Sequence, residues 1–353
     1  ELRARGGRLV VIDPRRSETA ELADRHHFIR PGSDAALLLA LLHVLFDEGL
    51  VRTDGLQSHA RNLAALPPLL TRFTPEFAAG ATGIEAGAIR ALAREFAAAP
   101  SAACHRRMGV STQRFGTLCQ WAIQLLMLLT GNLDRPGGAL LTPPAVMGAG
   151  PDDNPKGAFA RRASRVSGYP EFGGEFPVAA LAEEMLTPGA GQIRALVTVA
   201  GNPVLSVPNG RLTDRALAGL DFMLSVDVYL NETTRHAHLI LPPTSTLEHD
   251  HYDLAFHKFA VRNTARYNAP VLPRPAGALH DWEIFAGLAA AHAALSGEPA
   301  APVVPPADML DFLLQAGPYG TRSGFAPPLS LATLQAHPHG IDLGPLQIGR
   351  AHV

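Results

Sequence analysis

Cysteine is nearly absent: Cys104 and Cys119 are the two thiols among 353 residues. Two thiols cannot by themselves hold an iron–sulfur cluster or a structural zinc, each of which takes about four ligands. So little cysteine also suits a reducing compartment, and a disulfide between the two is not expected. Long apolar runs are missing too. The longest near the start, Ala35 to Phe46, contains His43 and is closed by Asp47-Glu48, short of the roughly 20 residues a membrane span requires. It reads as a buried helix, and no direct membrane insertion is expected. Neither charge sign predominates. A formal net charge of −2 gives no reason to expect nucleic acid or another polyanion as a partner.

The remaining composition is globular, with 47% hydrophobic and 18% charged residues. The length predicts two or three compact units, and 30 prolines with 33 glycines predict many turns. The chain opens at Glu1 rather than Met and reaches an apolar run within eight residues, so it reads as an internal fragment. The final Ile348-Gly349-Arg350-Ala351-His352-Val353 reads as the translation of a sequencing-library adapter, placing the expected natural end at Gln347.

Leu9-Val10-Val11-Ile12 is the pattern of a parallel strand buried on both faces. Asp13 follows at its carboxyl end, where ligands collect in open α/β sheets and a carboxylate can accept from a ribose hydroxyl or a guanine N–H. Arg15 and Arg16 come next, suited to phosphate or a planar base. Ser17 caps a short helix to Asp24 with Ala20, Leu22 and Ala23 inward, and His27-Phe28-Ile29 reads as a second strand. Arg30-Pro31-Gly32-Ser33-Asp34 is a tight turn that delivers Ser33 or Asp34 as the N-cap of the apolar helix, which Gly49 ends. Together these form a nucleotide-sized arrangement at a helix N-terminus.

Residues 53–100 read as helical, from the periodic Leu56–Leu66 stretch to a helix over Gly83–Ala99 capped by Thr82 with Glu85 three residues on. The segment from Ser101 to Gly109 starts like another strand and ends at a glycine. A helix from Phe115 to Thr130 carries Leu118, Trp121, Ala122, Leu125 and Leu129 at helical spacing, and its Trp and Met read as core. Gly131-Asn132 stops it, and a Gly- and Pro-rich stretch to about Pro177 marks a boundary. A second α/β pattern then runs from Ala195–Val199 through Gly201-Asn202-Pro203, a helix near Leu212–Leu220 and the strand Phe222–Val226 into Asp227. A short helix at Glu232–His236 leads to a strand at His238–Leu241. Three strands with two helical connections fit a parallel βαβαβ unit that echoes the first. Past Leu295, Pro and Ala predominate around a helix at Met309–Gln315.

The ordered set of motifs resembles the molybdopterin oxidoreductase family, the DMSO reductase-like enzymes that bind two molybdopterin guanine dinucleotides around molybdenum or tungsten. Its elements are Ile12-Asp13-Pro14-Arg15, Ile29-Arg30-Pro31-Gly32-Ser33-Asp34, Met108-Gly109-Val110, and Leu128-Leu129-Thr130-Gly131-Asn132 with Arg135-Pro136-Gly137-Gly138. They continue through Gly201-Asn202-Pro203, Ser225-Val226-Asp227, Glu232-Thr233, Leu241-Pro242-Pro243 and Pro338–Leu346. The resemblance implies an α/β fold of two Rossmann-like parallel-sheet domains from the central part of such an enzyme, without its N-terminal Fe–S part and C-terminal domain. The expected limits are 1–145 and 146–245 for the two guanosine-binding domains, 246–298 for a return segment near the active-site funnel, and 299–353 for a linker.

On that resemblance Asp13, Arg15, Gly32 and Asp34 form one guanosine pocket, and Asn202, Pro203, Asp227 and Thr233 the other. Gly109 belongs to a loop under the pterins. Many relatives read Met-Gly-Val-x-Gln there, whereas Ser111-Thr112-Gln113 follows Val110, so either Thr112 occupies the Gln position or Gln113 is shifted by one. The formate dehydrogenase run Arg-Gly-Gln-Asn-Asn is replaced around Pro143–Gly148, which counts against formate. The implied cofactors are bis-molybdopterin guanine dinucleotide with Mo or W and a [4Fe–4S] cluster. The cluster and the catalytic metal ligand would precede residue 1, leaving no metal ligand in this chain and no activity of the chain alone. A small-molecule substrate and an electron-transfer subunit or redox partner follow. The compartment expected is cytoplasmic, or periplasmic if an export signal lies upstream.

The alternative is a non-catalytic scaffold such as the large subunit of respiratory NADH:quinone oxidoreductase. The retained Asp13, Arg15, Asp34, Asn202 and Asp227 favour the enzyme. A dinucleotide-dependent dehydrogenase would carry Gly-x-Gly-x-x-Gly where Asp-Pro-Arg stands. Fifteen histidines, above all His249-Asp250-His251 beside Glu248, and His236 with His238, invite a zinc site. They read instead as hydrogen-bonded polar residues.

Overall fold

The computed structural model describes residues 2–52, 60, 62–133, 135–139, 144–146, 159–254, 256, 257, 260 and 262–344. The adapter-like 348–353, Pro345-Leu346, Pro143, Met147-Gly148 and, of the expected Leu56–Leu66 periodicity, residues 56–59 and 61 lie outside them. The chain forms two compact units, Glu1–Pro143 and Pro144–Gly344.

The first unit begins with β1 (Val10–Ile12), α1 (Glu18–Glu21) and β2 (Arg25–His27). The strands pair in parallel, Val10 opposite Arg25 and Ile12 opposite His27. β2 therefore starts two residues earlier than expected. The Asp24 carboxylate accepts the Leu9 N–H at 2.7 Å, which sets that register, and Ile29 goes to the helical core instead. β1 is not buried on both faces: Ile12, its last residue, is 37% exposed. Ser17 caps α1 by accepting from the Ala20 N–H, but Leu22 lies outward beyond the helix end.

α2 (Asp34–Asp47) is buried nearly all round, as a helix without a polar face must be. Around it come α3 (Leu66–Leu70), α4 (Pro75–Thr82), α5 (Ala86–Ala98), α6 (Met108–Ser111) and α7 (Gly116–Leu129). α4, α5 and α7 pack on α2, and Leu42, Leu45, Ile89, Ile123 and Leu129 meet in one core. Thr82 does not cap α5. It is the last residue of α4, its hydroxyl donates back to the Ala78 carbonyl at 2.7 Å, and Gly83 ends the helix at φ +79°. Residues 102–107 form no strand, since Ala102 N–H goes to Asn132 Oδ1 and Cys104 N–H to the Met127 sulfur. Met127 is core as expected, whereas Trp121 is 41% exposed.

The second unit opens with an antiparallel hairpin, β3 (Phe159–Ala163) and β4 (Pro170–Phe172), followed by α8 (Leu181–Leu186). Next come β5 (Ala195–Val199), α9 (Pro203–Ser206), α10 (Gly210–Ala218), β6 (Phe222–Val226) and β7 (Leu239–Ile240). The three strands are parallel in the order β5-β6-β7, with Ala195 opposite Phe222 and Leu224 opposite Leu239. Met185, Leu217 and Met223 pack α8 and α10 onto the sheet.

The unit continues through β8 (His251–Tyr252), β9 (Thr264–Ala265), β10 (Tyr267–Asn268), α11 (Asp281–Ser296), α12 (Pro306–Ala316), α13 (Leu331–Gln335) and β11 (Ile341–Asp342). The stretch expected as a linker thus packs into a core, where Leu314, Leu329, Leu334 and Leu343 join Val146 and Ala265 from outside that stretch. Sparse leucines among Pro and Ala conceal that core in the sequence, because they converge from separate elements.

Candidate functional site

In the first unit Asp13 leaves the carboxyl end of β1. Its N–H continues the ladder to the His27 carbonyl, its carbonyl accepts from His26 Nε2 at 3.0 Å, and Oδ1 accepts the Arg15 N–H at 2.7 Å. The aspartate thereby closes a side-chain turn over Pro14. Arg15 extends into solvent, 3.6 Å from Glu18.

A second group forms at the N-terminus of α2. Gly32 takes φ +83°, a conformation that disfavours a side chain, and Ser33 Oγ donates to the Arg30 carbonyl. Gln113 Nε2 donates to Asp34 Oδ2 at 2.6 Å and to the Gly109 carbonyl at 2.8 Å. Thr112 is turned away, its hydroxyl donating to the Met108 carbonyl. The structure therefore joins Asp34, Gly109 and Gln113, while among the described residues no hydrogen bond or ion pair links them to Asp13 or Arg15. A Cβ on Gly109 would meet nothing within 4 Å, so the space over that loop is open.

Gln120, unnoticed in the sequence, braces the same loop. Its amide donates to Ser111 Oγ and its carbonyl accepts from Arg106 Nε at 2.6 Å. A glutamine inside a largely apolar helix was the available signal, shared with Gln124.

In the second unit a cleft of about 420 Å³ opens at the carboxyl ends of β5 and β6, lined by Gly201, Asn202, Asp227, Tyr229, Asn231 and Pro243 among others. Asp227 is largely buried, and its Oδ1 accepts the Tyr229 N–H at 2.8 Å. This is the turn made by Asp13 and Arg15, repeated after a different parallel strand. Pro203 opens α9 as its first residue, where a missing N–H costs nothing, and is not part of the cleft lining.

Thr233 is fully buried behind the cleft wall. Its hydroxyl donates to Asn202 Oδ1 at 2.7 Å and accepts the Val204 N–H at 3.1 Å. Asn202 Nδ2 donates to Glu232 at 2.8 Å, and that bond holds the Glu232 carboxyl below its ordinary range. Arg235 and then His236 do the same for Asp214, anchoring the far end of the loop to α10.

Three of the histidines are engaged locally. His249 Nδ1 donates to the Asp250 carbonyl, His280 Nδ1 bonds Thr244 Oγ1 at 2.6 Å, and His238 Nδ1 accepts the Met223 N–H. Among the described residues no group of three or more His, Cys, Asp or Glu is placed to hold a metal ion. No described helix is long and apolar enough to cross a membrane.

In open α/β sheets ligands bind beyond the carboxyl ends of the strands, which is where Asp13 and Asp227 close their turns and the second of them opens into a cleft. The chain belongs to the molybdopterin oxidoreductase family, whose sequence model matches residues 2–291. It is 29% identical over 307 residues to the assimilatory nitrate reductase catalytic subunit of Bacillus subtilis, covering 81% of this chain and 42% of that protein. It is 28% identical over 297 residues to formate dehydrogenase H of Escherichia coli, covering 80% and 41%. Among solved structures, acetylene hydratase from Pelobacter acetylenicus superposes with a TM-score of 0.66 at 21% identity, over 81% of this chain and 43% of that one, a likeness of fold. The chain spans about two fifths of the length of these relatives. Membership implies a molybdopterin-type cofactor with molybdenum or tungsten.

Proposed function

We propose that this chain is the central cofactor-binding portion of a bis-molybdopterin guanine dinucleotide oxidoreductase that exchanges electron pairs or oxygen atoms with a small substrate. The observation that carries this reading is the repeated turn: Asp13 and Asp227, each just past a parallel strand, each accept the N–H two residues on. One carboxylate oxygen shapes the turn and the other is left to accept from a ligand. A guanine edge, with adjacent N–H donors, is a fitting partner for such an oxygen.

The residues present fit the group. The cleft beside Asp227 has an acceptor carboxylate, the Asn202 amide and a φ-positive Ala200 that turns the backbone at the strand end. In the first unit, the glycine turn at Gly32, the Asp34 carboxylate and the open space over Gly109 supply a second binding surface. Gln113 rather than Thr112 is the residue of the pterin loop that holds position, because Thr112 is spent within its own turn. When bound, the cofactor supplies the metal at which electron pairs are exchanged. What these residues do is bind and orient: Asp13 and Asp227 accept, Arg15 offers charge to phosphate, and Asn202 with Pro203 sets the start of α9.

The metal ligand and a [4Fe–4S] cluster are assigned to sequence outside these 353 residues, as is the contact with an electron-transfer subunit or redox partner. The compartment proposed is the cytoplasm, with the periplasm as the alternative. Metal analysis and guanine quantification on the full-length protein test the reading. Molybdenum or tungsten with two guanines per metal atom is expected, and a protein carrying neither metal nor guanine would be the scaffold instead.

A further inference from the structure

Between the two walls of the second-unit cleft runs a chain of hydrogen bonds that begins at an exposed acid. Glu232 accepts from Asn202 Nδ2 at 2.8 Å, Asn202 Oδ1 accepts from the Thr233 hydroxyl at 2.7 Å, and the Thr233 oxygen accepts the Val204 N–H at 3.1 Å. Asn202 belongs to the turn after β5 and Val204 to the first turn of α9, whereas Glu232 and Thr233 belong to the loop after β6 that starts at Asp227. We propose that Glu232 is a positioning residue that fixes the sense of the Asn202 side-chain amide and thereby locks these two cleft loops together.

The direction of every bond follows from the first. An amide can sit either way round, but with its oxygen toward Glu232 it would set two acceptors against each other. The carboxylate therefore admits only the nitrogen. That choice turns Oδ1 to Thr233, whose single hydroxyl proton must go to it, and the Thr233 lone pair is then free for the Val204 N–H, an unpaired donor in the first turn of α9. Thr233 is completely buried, so a reversed amide would leave its hydroxyl proton without an acceptor. Asn202, which lines the cleft, is left with one Nδ2–H beyond the one given to Glu232, so its presentation to a ligand is decided by a residue outside the lining.

The loop end is independently braced. Asn231 Oδ1 accepts the Thr233 and Thr234 N–H groups, and Asp214 on α10 accepts from Arg235 and His236. Loss of Glu232 should thus release the amide without unfolding the loop.

The lock itself is read without any ligand, by hydrogen-exchange mass spectrometry of the full-length protein over residues 202–206. Glu232→Ala should speed exchange there by about tenfold, the order expected for losing a charge-assisted bond. Glu232→Gln, which keeps an oxygen acceptor, should restore it to within about threefold. Asn202→Asp faces Glu232 with a second carboxylate and should exchange as fast as Glu232→Ala, whereas the Asn202→Asp/Glu232→Gln pair reverses donor and acceptor and should recover. Unchanged exchange in Glu232→Ala, or a double variant no better than Asn202→Asp, overturns the proposal.

A second arm rests on the guanosine reading: guanine retained per chain after dialysis should fall in Glu232→Ala and return in Glu232→Gln. A wild-type protein without guanine would sink that reading while leaving the exchange result to judge the lock.

Discussion

The Gln113 side-chain amide donates to the Asp34 carboxylate across 2.6 Å, tying the Gly109 loop to the first turn of α2. Seventy-nine residues separate the two in sequence, so the contact is a product of folding. It also separates Gln113 from its neighbour Thr112, which reaches no farther than the Met108 carbonyl.

Gln113→Leu should therefore free the loop, raising the rate of limited proteolysis within residues 106–114 by about tenfold, as expected for a lost bond to a charged group. Thr112→Val removes one exposed local bond and should change that rate by no more than about twofold. Equal effects of the two substitutions would contradict the assignment of Gln113 as the holding residue.

Asp13→Asn and Asp227→Asn retain a side-chain oxygen for the N–H two residues on, but lose the negative charge and replace one acceptor by a donor. If the proposed guanosine pockets hold, each variant takes guanine in the full-length protein from two per metal atom toward one. Melting temperature should move by only about 2 °C, since the turns persist. Unaltered guanine in both variants would remove the aspartates from the site.

Asn132 is fully buried, its Oδ1 accepting the Ala102 N–H and its Nδ2 donating to Thr130 Oγ1 at 3.0 Å. Asn132→Ala strands the Ala102 N–H, while the Thr130 hydroxyl keeps its bond to the Leu126 carbonyl, and should cost about 1–3 kcal/mol in urea unfolding. A cost below a few tenths would show that water replaces the amide.

Arg90 lies 2.7 Å from Glu76 and, by bonding it, holds its carboxyl at about 2. A carboxyl lowered by folding contributes stability that is full above its ordinary value near 4.5 and declines as pH falls toward about 2. The melting temperatures of wild type and Glu76→Gln should therefore differ most above about pH 5 and converge near pH 2. High salt should narrow the difference, because the pair is exposed. A gap that widens on acidification would refute the pairing.

Burial raises both the Cys104 and the Cys119 thiol. Neither should alkylate at neutral pH in the native protein, and both should in denaturant, since the thiolate is the reactive form. Mass spectrometry after iodoacetamide checks this, with rapid native labelling of Cys119 as the contrary outcome.

Local pattern by itself determined the elements that announce themselves over a few residues. β5 and β6 fall where their apolar runs lie, Ser17 caps α1, and α2 is the apolar helix expected there. The family was legible as well, since its motifs are short strings in a fixed order. Decisions that depended on competition for a partner were not legible. Thr82 had two helices to serve and bonded back into the one behind it, and Asp24 captured the Leu9 amide and so chose the β1–β2 register. The core around Leu314 and Leu334, the Gln113–Asp34 contact and the Glu232–Asn202–Thr233 chain each unite residues from different elements. A hydrogen bond or an apolar contact needs two groups within a few ångströms, and for these groups only the tertiary fold brings them that close.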